Sequence, residues 1–212
     1  MASRFYFSVE GQTEQRYFEW LENTVNTAGS GITPVRFKVR VEKDPLAFAR
    51  AMSSRGPVSL WHVCDMESAD AVHMAHFRDV LSRMERAEQQ YPDIEYHLAY
   101  TNFTFELWLL LHRTDAFLPL QSRRDYLPLL NTAYEESFQS LHHFKRKKDF
   151  ERILRKLTLA DVKDAAARAR EIERRNWQEH TPVSCGAYTF FENNPSLSLG
   201  ECVEAVLLAA GV

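Results

Sequence analysis

The sequence predicts an α/β fold built on a parallel sheet flanked by helices, with a C-terminal helical region, and three observations carry that expectation. Short apolar or alternating runs recur at 4–9, 34–41, 58–64 and 94–100. Helical patterns separate them at 13–28, 44–52 and 69–90, and strand–helix alternation of this kind calls for a parallel sheet covered on both faces. The third observation is the position of the acids. Glu10 follows the first run, and Asp65 and Glu67 follow the third; the carboxyl edge of a parallel sheet is where ligands collect.

The first run, Phe5-Tyr6-Phe7-Ser8-Val9, meets Glu10 and Gly11, and a helix begins near Thr13, a suitable N-cap, with Glu14 in its first turn at the positive end of the helix dipole. That helix is expected to close near Gly29-Ser30-Gly31. From Pro34 to Val41 the apolar side chains Val35, Phe37, Val39 and Val41 alternate with Arg36, Lys38 and Arg40, the signature of a half-exposed strand. Asp44-Pro45 opens a short helix, since proline is favoured at a first helical position. Val58 to Cys64 is a nearly unbroken apolar run, read as a buried strand. A long helix to Gln90 and a fourth strand at 94–100 follow. From Thr101 onward no strand pattern is evident, and helices are expected at 103–112, 122–138, 146–157, 159–178 and 198–210. The sequence therefore divides into an α/β core over 1–101 and a helical extension over 102–212 packed on it.

With 212 residues, 45% hydrophobic, the chain can bury a sizeable core. A net charge of −3 excludes a uniformly basic nucleic-acid binder but leaves room for a local basic face. No apolar run is long enough to span a membrane and no signal peptide is evident, so no membrane partner is expected. Cys64, Cys185 and Cys202 are dispersed and odd in number, which points to reduced thiols in a cytoplasm and away from structural zinc. Neither a P-loop nor a nucleophile elbow is present.

If the first and third strands are neighbours, Glu10, Glu14, Asp65 and Glu67 come together. Carboxylates so close raise one another's pKa unless a cation offsets the repulsion. An all-oxygen set selects Mg2+ or Mn2+ over zinc. Such ions orient a phosphodiester, neutralise developing charge and activate water, while Glu10 has the alternative role of general acid or base. The competing explanation is that these are helix caps and solvated turn acids. Lys145-Arg146-Lys147-Lys148 is the strongest basic cluster. Beside an acidic metal site it would hold a phosphate backbone, with Phe144 able to stack on an unpaired base, and the plainer reading is a solvated helix face. Glu106, inside the apolar segment 103–112, is expected to cap a neighbouring helix or pair with an arginine, the alternative being a place beside the metal or a cationic site residue, and Asn102 to serve as an N-cap or a substrate contact. His73 and His76, three apart, lack a third metal ligand, and His62 is assigned to the core.

Val9-Glu10-Gly11-Gln12-Thr13-Glu14-Gln15-Arg16-Tyr17-Phe18 resembles the opening motif of RloB-like proteins, a prokaryotic family with a Toprim-type fold. Asp65-Met66-Glu67 is similar to its D-x-D motif, with glutamate replacing the second aspartate. Asp70 could substitute, or cap the following helix. Asn102 to His112 resembles the family's third signature, and Asn194-Pro195-Ser196 with Leu199 and Val203 its C-terminal one. The resemblance implies a Toprim-like parallel sheet and a metal-dependent active site of the kind used by nucleases, primases and topoisomerases. It also implies a role in prokaryotic phage defence or restriction, and it places a family lysine near Lys145.

The expected function is Mg2+- or Mn2+-dependent hydrolysis of phosphodiesters. Glu10, Glu14, Asp65 and Glu67 would hold the metal, Glu10 and Lys145 would act in catalysis, and Lys145, Arg146, Lys147 and Lys148 would bind nucleic acid. Modest net charge and compact size favour structured or single-stranded substrates, RNA such as tRNA among them, over long duplex DNA. The alternative is a non-catalytic Toprim protein sensing a nucleotide or engaging a defence partner, and nucleotidyl transfer is a third reading. The sequence leaves both the choice of RNA or DNA and a homo-oligomeric state open.

Overall fold

The computed structural model describes residues 2–29, 31–52 and 56–212. Its centre is a five-stranded sheet of order β2-β1-β3-β4-β7, built from β1 (Ser3–Val9), β2 (Val35–Val41), β3 (Val58–Asp65), β4 (Ile94–Asn102) and the two-residue β7 (Ser196–Leu197). The first four strands run parallel and β7 is antiparallel to β4. The difference between the two middle runs follows from this order. β3 lies inside the sheet and is buried on both faces, whereas β2 is the edge strand and alternates.

Helices α1 (Gln12–Asn26), α2 (Pro45–Ala51) and α3 (Ala71–Gln90) connect the strands. In α1, Tyr17, Phe18, Leu21 and Val25 form the buried stripe, and Phe18 stacks on Phe7 of β1 at 4.2 Å between ring centroids. Residues of one sheet face (Phe7, Val9, Trp61, Val63, Ala99) share a core with α1 and with helices from the second half. The opposite face (Leu60, Cys64, Leu98, Tyr100) packs on α2 and α3. His62 is fully buried on that second face, 2.6 Å from Ser8 Oγ, as the core assignment expected.

The second half contains α4 (Glu106–Leu111), a 3-10 turn (Arg123–Asp125), α5 (Tyr126–Tyr134), α6 (Leu141–Phe144), α7 (Lys147–Leu154), α8 (Leu159–Glu179) and α9 (Leu199–Ala210). No strand was expected after Thr101, yet β7 pairs Leu197 with Thr101 and Ser196 with Asn102. β5 (Val183–Cys185) and β6 (Tyr188–Phe190) form a separate hairpin. Elements of two or three residues are too short to show alternation, which hid them in the sequence. The first helix starts at Gln12 with Gly11, not Thr13, at the N-cap. Asp44 and Asp70 do cap α2 and α3, each accepting two backbone N–H bonds. The proposed close of α1 at Gly29-Ser30-Gly31 includes Ser30, which lies outside the described residues. Among those residues no helix is long and apolar enough to cross a membrane.

Helices α8 and α9 meet at Gly200, where an added Cβ would lie 2.6 Å from Ala169 Cβ. Gly200→Ala should destabilise the protein by about 1–3 kcal/mol through overpacking, against the small gain that alanine normally gives in a helix. Urea denaturation checks the sign: stabilisation would show that the two helices do not approach so closely.

Candidate functional site

Strand order locates the site. β1 leads outward to β2, and the chain then crosses back over β1 to form β3. The chain changes direction between β1 and β3, and a crevice opens outside the carboxyl ends of strands at such a point. Glu10 leaves β1 on one side of it, and Asp65 ends β3 on the other. The cavity there is about 360 Å3 and is lined by five carboxylates (Glu10, Glu14, Asp65, Glu67, Glu106) and three cationic side chains (Lys43, Arg123, Lys145), with Thr104 and His142 among the neighbours.

Each acid is placed by a different local device. Gly11 brings Glu14 back over the turn: a Cβ at position 11 would stand 2.9 Å from Glu14 Oε2, so glycine makes the approach free of clash. Glu14 is 6% exposed, and its Oε2 has no hydrogen-bond partner among the described residues. Asp65 accepts a hydrogen bond from Thr101 Oγ1 at 2.8 Å, across the register that pairs β3 with β4. Glu67 lies in the left-handed region at φ 63°, a conformation costly for a residue with a Cβ. Its N–H donates to Phe103 O at 2.8 Å, and its carboxylate reaches His73 Nε2 at 3.0 Å and Arg123 Nη1 at 3.9 Å. Glu106 opens α4, 1% exposed, and pairs with Lys145 Nζ at 2.7 Å.

The electrostatics match the crowding. Burial, opposed by Lys43 and reinforced by Glu14 and Glu67, pushes Glu10 up to about 7. Asp65 is held well above the usual carboxylate range by burial and by Glu10, Glu14 and Glu106, and burial likewise raises Glu14. Burial opposes the charge on Lys145, yet Glu106, Asp65 and Glu14 together keep its pKa above the ordinary lysine value. The Lys145 ammonium is thus the internal counter-ion of an acid-rich pocket.

The structure therefore brings Glu10, Glu14, Asp65, Glu67 and Lys145 to one cavity. Glu106 joins them and meets a lysine, not an arginine or a helix end, so its alternative place beside a cationic site residue is the one the structure takes. The structure also adds three residues that sequence reasoning did not assign. Lys43 could have been found from its place just after β2, on the same sheet edge, whereas nothing local marks Thr104 or Arg123. Two expectations are corrected. Phe144 is fully buried against Phe138 and Phe150 and presents no face to a base. Asn102 is buried in β4 and donates to Glu192 O and Asn193 O, and the N-cap of α4 is Phe105. Arg146, Lys147 and Lys148 lie outside the cavity lining on the exposed start of α7, where Lys147 pairs with Glu151 at 3.9 Å. Among the described residues, no three His, Cys, Asp or Glu side chains stand close enough, as placed, to share one metal ion.

The raised pKa of Glu10 has a consequence for stability. The fold disfavours its ionised form, so the cost is full above pH 7 and vanishes below the unfolded value of 4.5. Glu10→Gln should raise the unfolding free energy at pH 8 by up to about 3 kcal/mol and make little difference at pH 4.5. A urea titration at both pH values tests this, and an equal effect at the two would contradict it.

The family model described as RloB-like protein matches residues 5–206. No curated protein and no solved structure matches the chain. With the match covering nearly the whole length, the chain belongs to the RloB-like protein family.

Proposed function

We propose that the cavity at the carboxyl edge of β1 and β3 is the active site of a Mg2+- or Mn2+-dependent phosphodiesterase, a nuclease acting on RNA or DNA. The observation that supports this most directly is the gathering of five carboxylates from separate segments in one cavity, with Lys145 paired to Glu106 among them. Such a cluster costs stability and is retained where it serves a ligand. The residues suit a hard cation. Every acidic donor is oxygen, and both Glu14 Oε2 and Glu106 Oε2 are buried without a hydrogen-bond partner among the described residues. Glu10, Glu14, Asp65 and Glu67 would hold the metal, which supplies charge neutralisation at the phosphate and activation of water.

The chain's own groups then divide the work. Gly11 keeps Glu14 turned into the pocket, and Thr101 fixes one oxygen of Asp65. Glu106 holds Lys145 at the cavity wall, from which the ammonium can meet negative charge developing on the phosphate. Arg123, 58% exposed at the rim, is free to approach a non-bridging phosphate oxygen. Lys145, with Arg146, Lys147 and Lys148 beyond it, would support the backbone outside. A Toprim-type likeness and a role in prokaryotic phage defence or restriction follow from the family resemblance and belong to this proposal.

A second reading has a specific observation behind it. Lys145 already neutralises Glu106, and among the described residues no three acids stand within reach of one ion as placed. This favours a non-catalytic pocket that binds a nucleotide or engages a defence partner.

The test is cleavage of labelled single-stranded RNA and DNA by purified protein with Mn2+ or Mg2+. Asp65→Asn and Glu14→Gln should abolish the cut, and Lys145→Gln should slow it by about 10²–10³-fold. Mn2+ should also raise the melting temperature of the wild type, and of the Asp65→Asn variant much less. No cleavage and no metal-dependent shift, with nucleotide binding lost in the same variants, would establish the second reading instead.

A further inference from the structure

The edge strand β2 carries a feature that the proposed chemistry does not use. Its outward positions are Arg36, Lys38 and Arg40, all exposed, and the strand leads directly to exposed Lys43 in the cavity lining. In register beside them on β1 are Arg4, Tyr6 and Ser8. Arg4 is exposed too and stands opposite Arg36, a like-charge cross-strand pair that costs stability unless an anion lies over it. Lys38 lies over the Tyr6 ring, 5.5 Å from its centroid.

Little within the protein neutralises this stripe. Among the described residues Arg4, Lys38 and Arg40 form no ion pair, Arg36 makes a single long contact of 3.5 Å to Glu22 with its side chain 68% exposed, and only Lys43, at the cavity, faces the acids there. Charged residues on an edge strand guard against sheet-to-sheet association. That task is indifferent to sign, and three successive outward positions of one sign exceed what it needs. The spacing is also informative. Alternate residues along a parallel strand repeat at about 6.6 Å, so Arg36 to Arg40 spans about 13 Å in a straight line, of the order of two steps along an extended nucleotide chain. The bond from Glu42 N to Val9 O, 2.9 Å, ties the end of β2 to the end of β1, so the line ends at Glu10.

We infer that Arg36, Lys38, Arg40 and Lys43, with Arg4, form a track for the phosphodiester backbone of an unpaired nucleic-acid strand, which it delivers along β2 to the acidic cavity. The inference rests on the proposed reading only in taking that cavity as the destination; the binding surface itself stands on the charge and spacing of β2. Repulsion between the strand's phosphates and the pocket's acids makes cationic guidance up to the rim necessary. The stripe contacts backbone and reads no base, so unpaired RNA and DNA share the chemistry that it recognises.

The test is fluorescence anisotropy with labelled single-stranded RNA and DNA of the same sequence, on the full chain, without divalent metal so that cleavage plays no part. The triple variant Arg36→Gln/Lys38→Gln/Arg40→Gln should bind about tenfold or more weakly. The slope of log affinity against log salt should become shallower by about 2, or about 0.7 per lost phosphate contact. Weakening of RNA alone would make RNA the strand that follows the track, and weakening of both would leave the backbone as the feature recognised. The single variant Arg40→Gln, expected to shift the slope by about a third as much, supports the same conclusion if the triple variant proves unstable. The comparison is Arg146→Gln/Lys147→Gln/Lys148→Gln. If that variant carries the whole loss while the β2 variants bind as tightly as wild type with an unchanged salt slope, the inference is overturned. Absence of wild-type binding to either strand overturns it as well. A track variant that binds weakly yet keeps its Mn2+ melting shift separates failure of the track from failure of the metal site.

Discussion

Repulsion among carboxylates is the constraint around which this molecule is arranged. Glu10, Glu14, Asp65, Glu67 and Glu106 surround a single cavity. The immediate relief is Lys145, 2.7 Å from Glu106 and near enough to Asp65 and Glu14 to be held charged by them. Removing the lysine would leave a buried acid unpaired, a larger penalty than the pair's own net contribution. Glu10 is pushed up to about 7 by burial first and by its neighbours Glu14 and Glu67 after it, with Lys43 offsetting only part of the rise. The protein therefore carries a destabilising charge cluster at the place where its topology opens a crevice.

Topology and chemistry reinforce each other there. A sheet of order β2-β1-β3-β4-β7 has its change of direction between β1 and β3, and those two strands end in the acids. The second half of the chain closes the arrangement from the other side. α4 contributes Glu106, the C-cap of α6 contributes Lys145, and the 3-10 turn contributes Arg123. β7 pairs with β4 only at Thr101 and Asn102, and the opposite edge of the sheet is β2, whose outward face is basic. An acidic interior approached along a cationic edge is the charge distribution that the proposed phosphodiester substrate would call for: attraction along its length and a pocket of acids to hold the proposed cation.

Much of this was legible in the sequence, for local reasons. The unbroken apolar run of β3 and the alternation of β2 reveal which strand is central and which is at the edge. Glu10 and Asp65 are conspicuous because each terminates such a run. What sequence could not provide is the partner of Glu106, since Lys145, 39 positions away in the chain, comes to it only through tertiary folding. Phe144 misled because it adjoins a basic run. Its burial depends on Phe138 and Phe150, which no period of two or 3.6 discloses on so short a helix. The left-handed backbone at Glu67 is equally silent in a sequence that offers no glycine there.

The central claim is that these acids share a divalent cation, and anomalous scattering from a crystal soaked in manganese tests it most directly. The account predicts a manganese peak within coordination distance of Asp65 and Glu14, with Glu10 or Glu67 turned toward it. No peak in the cavity, with Lys145 still bound to Glu106 and the carboxylates apart, would contradict it.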